Sequence, residues 1–158
     1  MGGWLACMPA REGWLYLAAV TGAFSRKVVS WSMSERITGK VAIDAIGQAV
    51  GRGDPPDDGS LVSHGDQGAR HASRSFRRCL GSHGVAQSVS RPGTPLDNAV
   101  AESFFKTLKR ELAEGRSYGT RGEAKRDIFK RIELYCNRVR MHPALGYMSP
   151  VEYERQYA

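Results

Sequence analysis

One uninterrupted apolar run, WLYLAAV at residues 14–20, constrains the fold of this chain more than any other feature. Such a run is what a strand buried on both faces looks like, and a sheet covered on both faces needs helices on each side. The next segment, KVVSWSM at 27–33, alternates instead. Its period of two predicts Val29, Trp31 and Met33 on one face and Val28, Ser30 and Ser32 on the other. The intervening TGAFSR is short enough for an antiparallel hairpin. WLACM at 4–8, followed by the turn PAREG, supplies a preceding strand and completes a three-stranded meander.

The period then changes. Ala42, Ile43, Ile46, Ala49 and Val50 recur at three and four, which predicts an amphipathic helix over 39–50. It stops in GRGDPPDDGS, where three aspartates lack calcium-loop spacing and Pro55-Pro56 interrupts them. LVS at 61–63 is a short strand entering HGDQG. A helix over 72–83 turns Phe76, Cys79, Leu80 and His83 inward and gathers Arg70, Arg74, Arg77 and Arg78 outward. VAQSV at 85–89 is a strand, and the turn-rich SRPGTPLDN leads to a helix from Ala99 to Glu114. A last helix runs from Arg121 to Arg138 with Ala124, Ile128, Ile132 and Tyr135 in one stripe. The order β-β-β-α-β-α-β-α-α describes a mixed sheet flanked by helices in one α/β domain.

Charge narrows the partner. The 158 residues carry 23 Lys and Arg against 16 Asp and Glu, net +7. The surplus is lopsided: residues 1–69 hold six basic and seven acidic groups, residues 70–158 seventeen and nine. A polyanion suits that asymmetry, and nucleic acid is the leading candidate. Cys7, Cys79 and Cys136 are odd in number and widely spaced, which is no disulfide framework and points to a reducing cytoplasm. The longest nearly apolar run, residues 14–24, is too short to span a bilayer as a helix. The start lacks the basic region and apolar stretch of a signal peptide. No membrane partner is expected.

Two acids stand where chemistry could sit. Asp66 follows a short apolar strand between Gly65 and Gly68, and open α/β sheets place ligands at the carboxyl ends of their strands. Glu102 lies near a helix start. Taken singly, the first reads as a turn aspartate and the second as a first-turn glutamate favoured by the helix dipole. Lys106 and Lys109, four and seven positions beyond Glu102, share its helical face.

Read together, SHGDQGARHAS at 63–73 and DNAVAESFFKTLKR at 97–110 resemble the insertion-sequence transposases of the IS-three family, within the retroviral-integrase superfamily. PAREGWLYLAAV at 9–20, FSRKVVSWSM at 24–33 and RVRMHPALGYMSPVEYE at 138–154 match in the same order and at suitable spacing, so the resemblance covers nearly the whole chain from Pro9. It implies a ribonuclease-H-like mixed five-stranded sheet flanked by helices, an integrase catalytic core over residues 1–158, with the family's C-terminal signature at 135–154. It also implies three carboxylates holding two Mg²⁺ (or Mn²⁺) ions, hard cations that prefer carboxylate oxygen and water. Two such ions activate the attacking hydroxyl and stabilise the leaving oxygen at a phosphodiester, so no serine or tyrosine nucleophile is needed. Asp66 matches the family's second carboxylate and Glu102 its third. His64 and Asn98 fall beside them as supporting groups.

The first carboxylate falls on Trp4, which is no metal ligand. Glu12 and Asp44, the nearest other acids, are expected not to reach the site without rearrangement. The resemblance therefore implies metal-dependent DNA cleavage and strand transfer, impaired at the first ligand. The alternatives are a non-catalytic DNA-binding remnant and a metal-dependent nuclease using a replacement acid. Lys106, Lys109, Arg70, Arg74, Arg78, Arg138 and Arg140 are the expected DNA contacts, mostly to phosphate. Leu145, Tyr147 and Pro150 read as packing. Partners are DNA ends and target, together with a second copy or an intact transposase. The family carries a helix-turn-helix region ahead of its core and only three residues precede Trp4, so a core begun late or left by a frameshift is expected. Cys79 with His83 and Cys136 with His142 lack the spacing of a zinc ribbon or finger.

Overall fold

The structure, a computed structural model, describes residues 2–22, 25–36, 39–53, 62–65, 74–82, 86–89, 99–113 and 117–157. Three strands open the chain: β1 (Gly2–Ala10), β2 (Gly13–Thr21) and β3 (Val28–Ser34). Then follow α1 (Gly39–Gly53), β4 (Val62–Gly65), α2 (Arg74–Ser82), β5 (Ala86–Val89) and α3 (Ala99–Ala113). α4 (Arg121–Lys130) continues into a π-helical segment (Arg131–Cys136), and α5 (Pro150–Tyr157) closes the chain. The strands form one sheet in the order β3-β2-β1-β4-β5, antiparallel across β1–β3 and parallel across β1–β4 and β4–β5.

The apolar run at 14–20 does what its composition requires. Leu15, Leu17 and Ala19 pack with Phe105, Leu108 and Leu112 of α3 and Ala124, Ile128 and Ile132 of α4 and its continuation. Ala18 and Val20, on the other face, pack with Val41, Ala45, Ile46 and Ala49 of α1. Burying each large aliphatic side chain contributes about 1.5–3 kcal/mol over leaving it in water, and Leu15, Leu17, Ile46, Ile128 and Ile132 are all essentially inaccessible.

Several elements depart from the sequence reading. The turn after β1 is not PAREG but only Arg11-Glu12, because Pro9 pairs with Trp14 and Ala10 with Gly13. Pro9 is tolerated because the β1–β4 pairing lies at Gly2, at the opposite end of the strand. Gly13 has φ +142°, and a Cβ there would run into the Arg121 guanidinium. In β3 the alternation breaks. Thr21 pairs with Val28 and Val20 with Ser30, leaving Val29 as a bulge. Val28 consequently joins the α3/α4 side with Trp31 and Met33, while Val29 turns to α1. Ser30, fully buried, donates its hydroxyl to the Ala45 carbonyl of α1 at 2.5 Å.

The last predicted helix also changes character. From Arg131 its bonds widen, and Asn137 N–H donates to Ile132 O, five residues back. Cys136 and Asn137 are thereby buried, whereas Tyr135 of the predicted stripe is only half-buried. α5 was not anticipated as a helix. Its start is a reciprocal cap: Ser149 N–H and Oγ donate to Glu152 Oε2 at 3.0 and 2.8 Å, with Pro150 at the first helical position. Leu145 and Pro150 are buried as read, but Tyr147 is 68% exposed, so its packing role is corrected.

Candidate functional site

The sheet fixes the positions that matter. One rung crosses four strands: His64 of β4 pairs with Gly2, Gly2 with Thr21, and Thr21 with Val28. Trp4 stands two residues past Gly2, paired with Ala19. Asp66 follows the end of β4 by one residue and lies outside the described residues, as do Arg70 and Asn98. Glu102 sits in the first turn of α3, which packs against β1. The topology thus brings Trp4, the end of β4 and the start of α3 to one end of the sheet, and strand ends of this kind are where α/β sheets carry their chemistry.

The replacement acids are elsewhere. Trp4 to Ala10 spans about 20 Å of extended strand, and Glu12 lies beyond Ala10, accepting the Arg121 N–H at 2.8 Å. Asp44 is exposed on α1, close enough to α2 to help raise the Cys79 thiol pKa, although burial is the larger cause. The cysteines divide likewise. Cys79 packs against the α1 cluster, while Cys136 lies within electrostatic reach of Arg140, Glu111 and Arg131. Burial pushes the Cys136 thiol upward. Among the described residues no three His, Cys, Asp or Glu side chains come together as a metal site.

The basic residues fall into three groups. Arg74, Arg77 and Arg78 are exposed on α2. Lys106 and Lys109 are exposed on α3, opposite the buried Phe105, Leu108 and Leu112. The third group surrounds the β2–β3 turn. Asn137 is 4% exposed and grips the open edge of β3: Val28 N–H donates to its Oδ1 at 2.8 Å and its Nδ2 donates to Val28 O at 3.0 Å. Glu154 of α5 holds the same turn, accepting Ser25 Oγ at 2.6 Å and Lys27 Nζ at 2.9 Å. Arg140 donates to Thr107 Oγ1 of α3 at 3.4 Å. Burial, then Arg140, then Arg26 hold the His142 pKa below its ordinary value. A cavity of about 420 Å³ opens beside them, with Lys27, Arg138, Arg155, Glu133 and Glu152 in its wall. Sequence reasoning placed Asn137 and Glu154 in the C-terminal signature and Arg26 in the motif at 24–33, but it gave none of them the structural part it plays around this turn.

This architecture is that of an integrase-type catalytic core. The chain belongs to the integrase core domain family, whose models match residues 4–95 and 83–150. It is 46% identical over 155 residues to the transposase for insertion sequence element IS904 of Lactococcus lactis, covering 96% of this chain and 60% of that protein. It is 39% identical over 145 residues to transposase InsF for insertion sequence IS3fB of Escherichia coli, covering 92% and 50%. The chain therefore spans between half and two thirds of these relatives. Among solved structures, the HTLV-2 integrase catalytic core domain in complex with magnesium superposes with a TM-score of 0.68 at 17% identity, covering 96% of this chain and 93% of that one. The simian T-cell lymphotropic virus intasome gives 0.74 at 16%, covering 96% and 52%. The fold is ribonuclease-H-like, an integrase catalytic core.

The donor set can be tested against a pair of divalent ions. Asp66 and Glu102 bring hard carboxylate oxygens by chemistry. Trp4 brings an indole, whose only polar atom is an N–H donor with no lone pair for a cation.

Proposed function

We propose that residues 1–158 form one DDE-type transposase core domain serving DNA transposition, with Asp66 and Glu102 as its surviving metal-binding carboxylates and its chemistry impaired at Trp4. The observation that carries this reading is the register of β1. Trp4 lies two residues past the rung shared with His64, and Asp66 lies two residues past His64 in sequence. An aspartate at position 4 would follow its rung residue, Gly2, by the same two residues by which Asp66 follows His64 in sequence. His64 and Asn98 support the site from either side in sequence. DNA ends and target are the substrates on this reading. Arg70, Arg74, Arg78, Lys106, Lys109, Arg138 and Arg140 meet phosphate, and the working form is an oligomer of this chain or one mixed with an intact transposase, in the bacterial cytoplasm. No helix among the described residues is long and apolar enough to cross a membrane.

The test is strand transfer and nicking on labelled duplex DNA with Mg²⁺ or Mn²⁺. The chain itself is expected to give no product, and Trp4→Asp to give metal-dependent product that Glu102→Gln or Asp66→Asn removes. If Trp4→Asp folds, binds DNA and still yields nothing, the non-catalytic DNA-binding reading replaces this one. Metal-dependent nicking by the unaltered chain, lost in Asp66→Asn and Glu102→Gln, would establish a nuclease with a replacement acid. The distant positions of Glu12 and the exposed Asp44 weigh against that outcome.

A further inference from the structure

We propose that Tyr147 is an aromatic perch for an unpaired DNA base, carried on a basic loop formed by residues 138–149. The inference rests on the reading of the chain as a DNA-acting core. It adds a contact of another kind, made to a base rather than to phosphate.

Three observations carry it. The first is exposure. At 68%, Tyr147 is the most exposed of the large apolar side chains among the described residues. Its ring enters none of the aromatic pairs among those residues. The neighbours that anchor the loop turn inward instead: Leu145, Ser149 and Pro150 are all buried. Packing accounts for the loop and leaves the tyrosine outside.

The second is backbone conformation. Tyr147 has φ +61°, directly after Gly146 at φ +65°. This left-handed region is unfavourable for a bulky L-residue and open to glycine. The loop imposes it through backbone bonds that any residue but proline could make. Tyr147 N–H donates to His142 O at 3.0 Å, His142 N–H to Met148 O at 3.1 Å, and Gly146 N–H to Pro143 O at 3.1 Å. A strained tyrosine presented to solvent by a closed turn is an outlier from which function is inferred.

The third is charge. Residues 138–149 include Arg138, Arg140 and His142 and no acid. The next acid in the sequence, Glu152, is occupied by Ser149 in the cap of α5. Among the described residues neither arginine pairs with a carboxylate. Arg138 is exposed, and Arg140 donates to Thr107 Oγ1 at 3.4 Å, which ties the loop to α3. Thr107 lies five residues beyond Glu102, about 7.5 Å along the helix. Cations without acids select a polyanion, and an aromatic ring among them suits a single strand, whose backbone the cations track while a base stacks on the ring.

The test is fluorescence anisotropy with the whole chain, using labelled single-stranded and duplex oligonucleotides of one sequence. Tyr147→Gly removes the ring and relieves the backbone, so its Tm is expected to stay level or rise by up to about 3 °C. Its affinity for the single strand is expected to fall about tenfold or more, and for the duplex, whose bases stay stacked, less than about twofold. Tyr147→Phe keeps the ring and is expected to bind the single strand as the parent does. Arg138→Gln is expected to lower the single-strand log–log salt slope by about 0.7, which Tyr147→Gly leaves unchanged. Unchanged single-strand binding by Tyr147→Gly, or an equal loss on the duplex, overturns the perch alone. So does a Tyr147→Gly variant that changes only self-association in sedimentation, which would give the residue to a contact between copies. No binding of either oligonucleotide by the unaltered chain overturns the perch and the DNA-acting reading together.

Discussion

Asn137 offers the sharpest quantitative test of how the C-terminal segment is attached. Its amide stands in for a sixth strand at the edge of the sheet, satisfying the Val28 N–H and C=O at 2.8 and 3.0 Å, and Val28 itself is only 3% exposed. Asn137→Ala leaves both backbone groups buried and unpaired. At about 1.5 kcal/mol each, within the usual cost of an unsatisfied buried group, the loss is about 3 kcal/mol. For 158 residues the unfolding entropy is about 0.33 kcal/mol/K, from about 2.1 cal/mol/K per residue. The expected fall in Tm is therefore about 9 °C, read by calorimetry or circular dichroism. Asn137→Asp adds a second signature. One oxygen still accepts from Val28 N–H, but the other faces a carbonyl oxygen in place of a donor. This variant is expected to be at least as unstable as the alanine variant at neutral pH and to recover partly in acid, where a protonated carboxyl donates again. A fall smaller than about 3 °C in Asn137→Ala, or an Asp variant as stable as the parent, would refute the reasoning by showing that water satisfies the edge.

Other expectations follow from the same geometry. Gly13→Ala must both adopt φ +142° and displace the Arg121 side chain, which donates to Trp14 O at 3.1 Å and pairs with Glu35 at 3.6 Å. It is expected to lose about 2–3 kcal/mol in denaturant unfolding, and an unchanged midpoint would contradict the assigned turn. His142 has a folded pKa below its unfolded value of about 6.5. Its contribution is present above that pH and lost as pH falls through the folded value, because the unfolded chain then binds the proton more readily. His142→Gln is expected to shed this part of the acid-side loss of stability between about pH 6.5 and pH 5, and a parallel pH profile for both proteins would contradict it.

Much of this fold was legible because its strongest signals are periodic. The run at 14–20 announced a strand with two covered faces, and the repeat at Ala42, Ile46, Ala49 and Val50 announced α1 with its buried face. What failed was local. A single bulge at Val29 moved Val28 to the other face, and no periodic reading anticipates an inserted residue. The π-helical turn after Lys130 replaced Tyr135 with Cys136 and Asn137 on the inner side, because widening a turn by one residue advances every later position. α5 carried a readable cap in Ser149 and Glu152 that its short length obscured. At the candidate site, sequence motifs are enough to place Trp4 on β1 and Glu102 on α3, whereas the pairing of Gly2 with His64 is visible only in the fold.

The central claim is that position 4 of β1 is where a metal-binding carboxylate is missing, and cation affinity tests it directly. A pair of unit charges about 4 Å apart is worth about 4 kcal/mol at an effective dielectric near 20, about a thousandfold in Kd, which is a lower bound for a carboxylate facing a divalent ion. Calorimetric titration of the chain and of Trp4→Asp with Mn²⁺ or Mg²⁺ is the measurement, with folding checked by circular dichroism. Binding at least about a thousandfold tighter in Trp4→Asp, and lost again when Glu102→Gln is added, is the expected result. Equal affinity in the two proteins, at a site still dependent on Glu102, would contradict it.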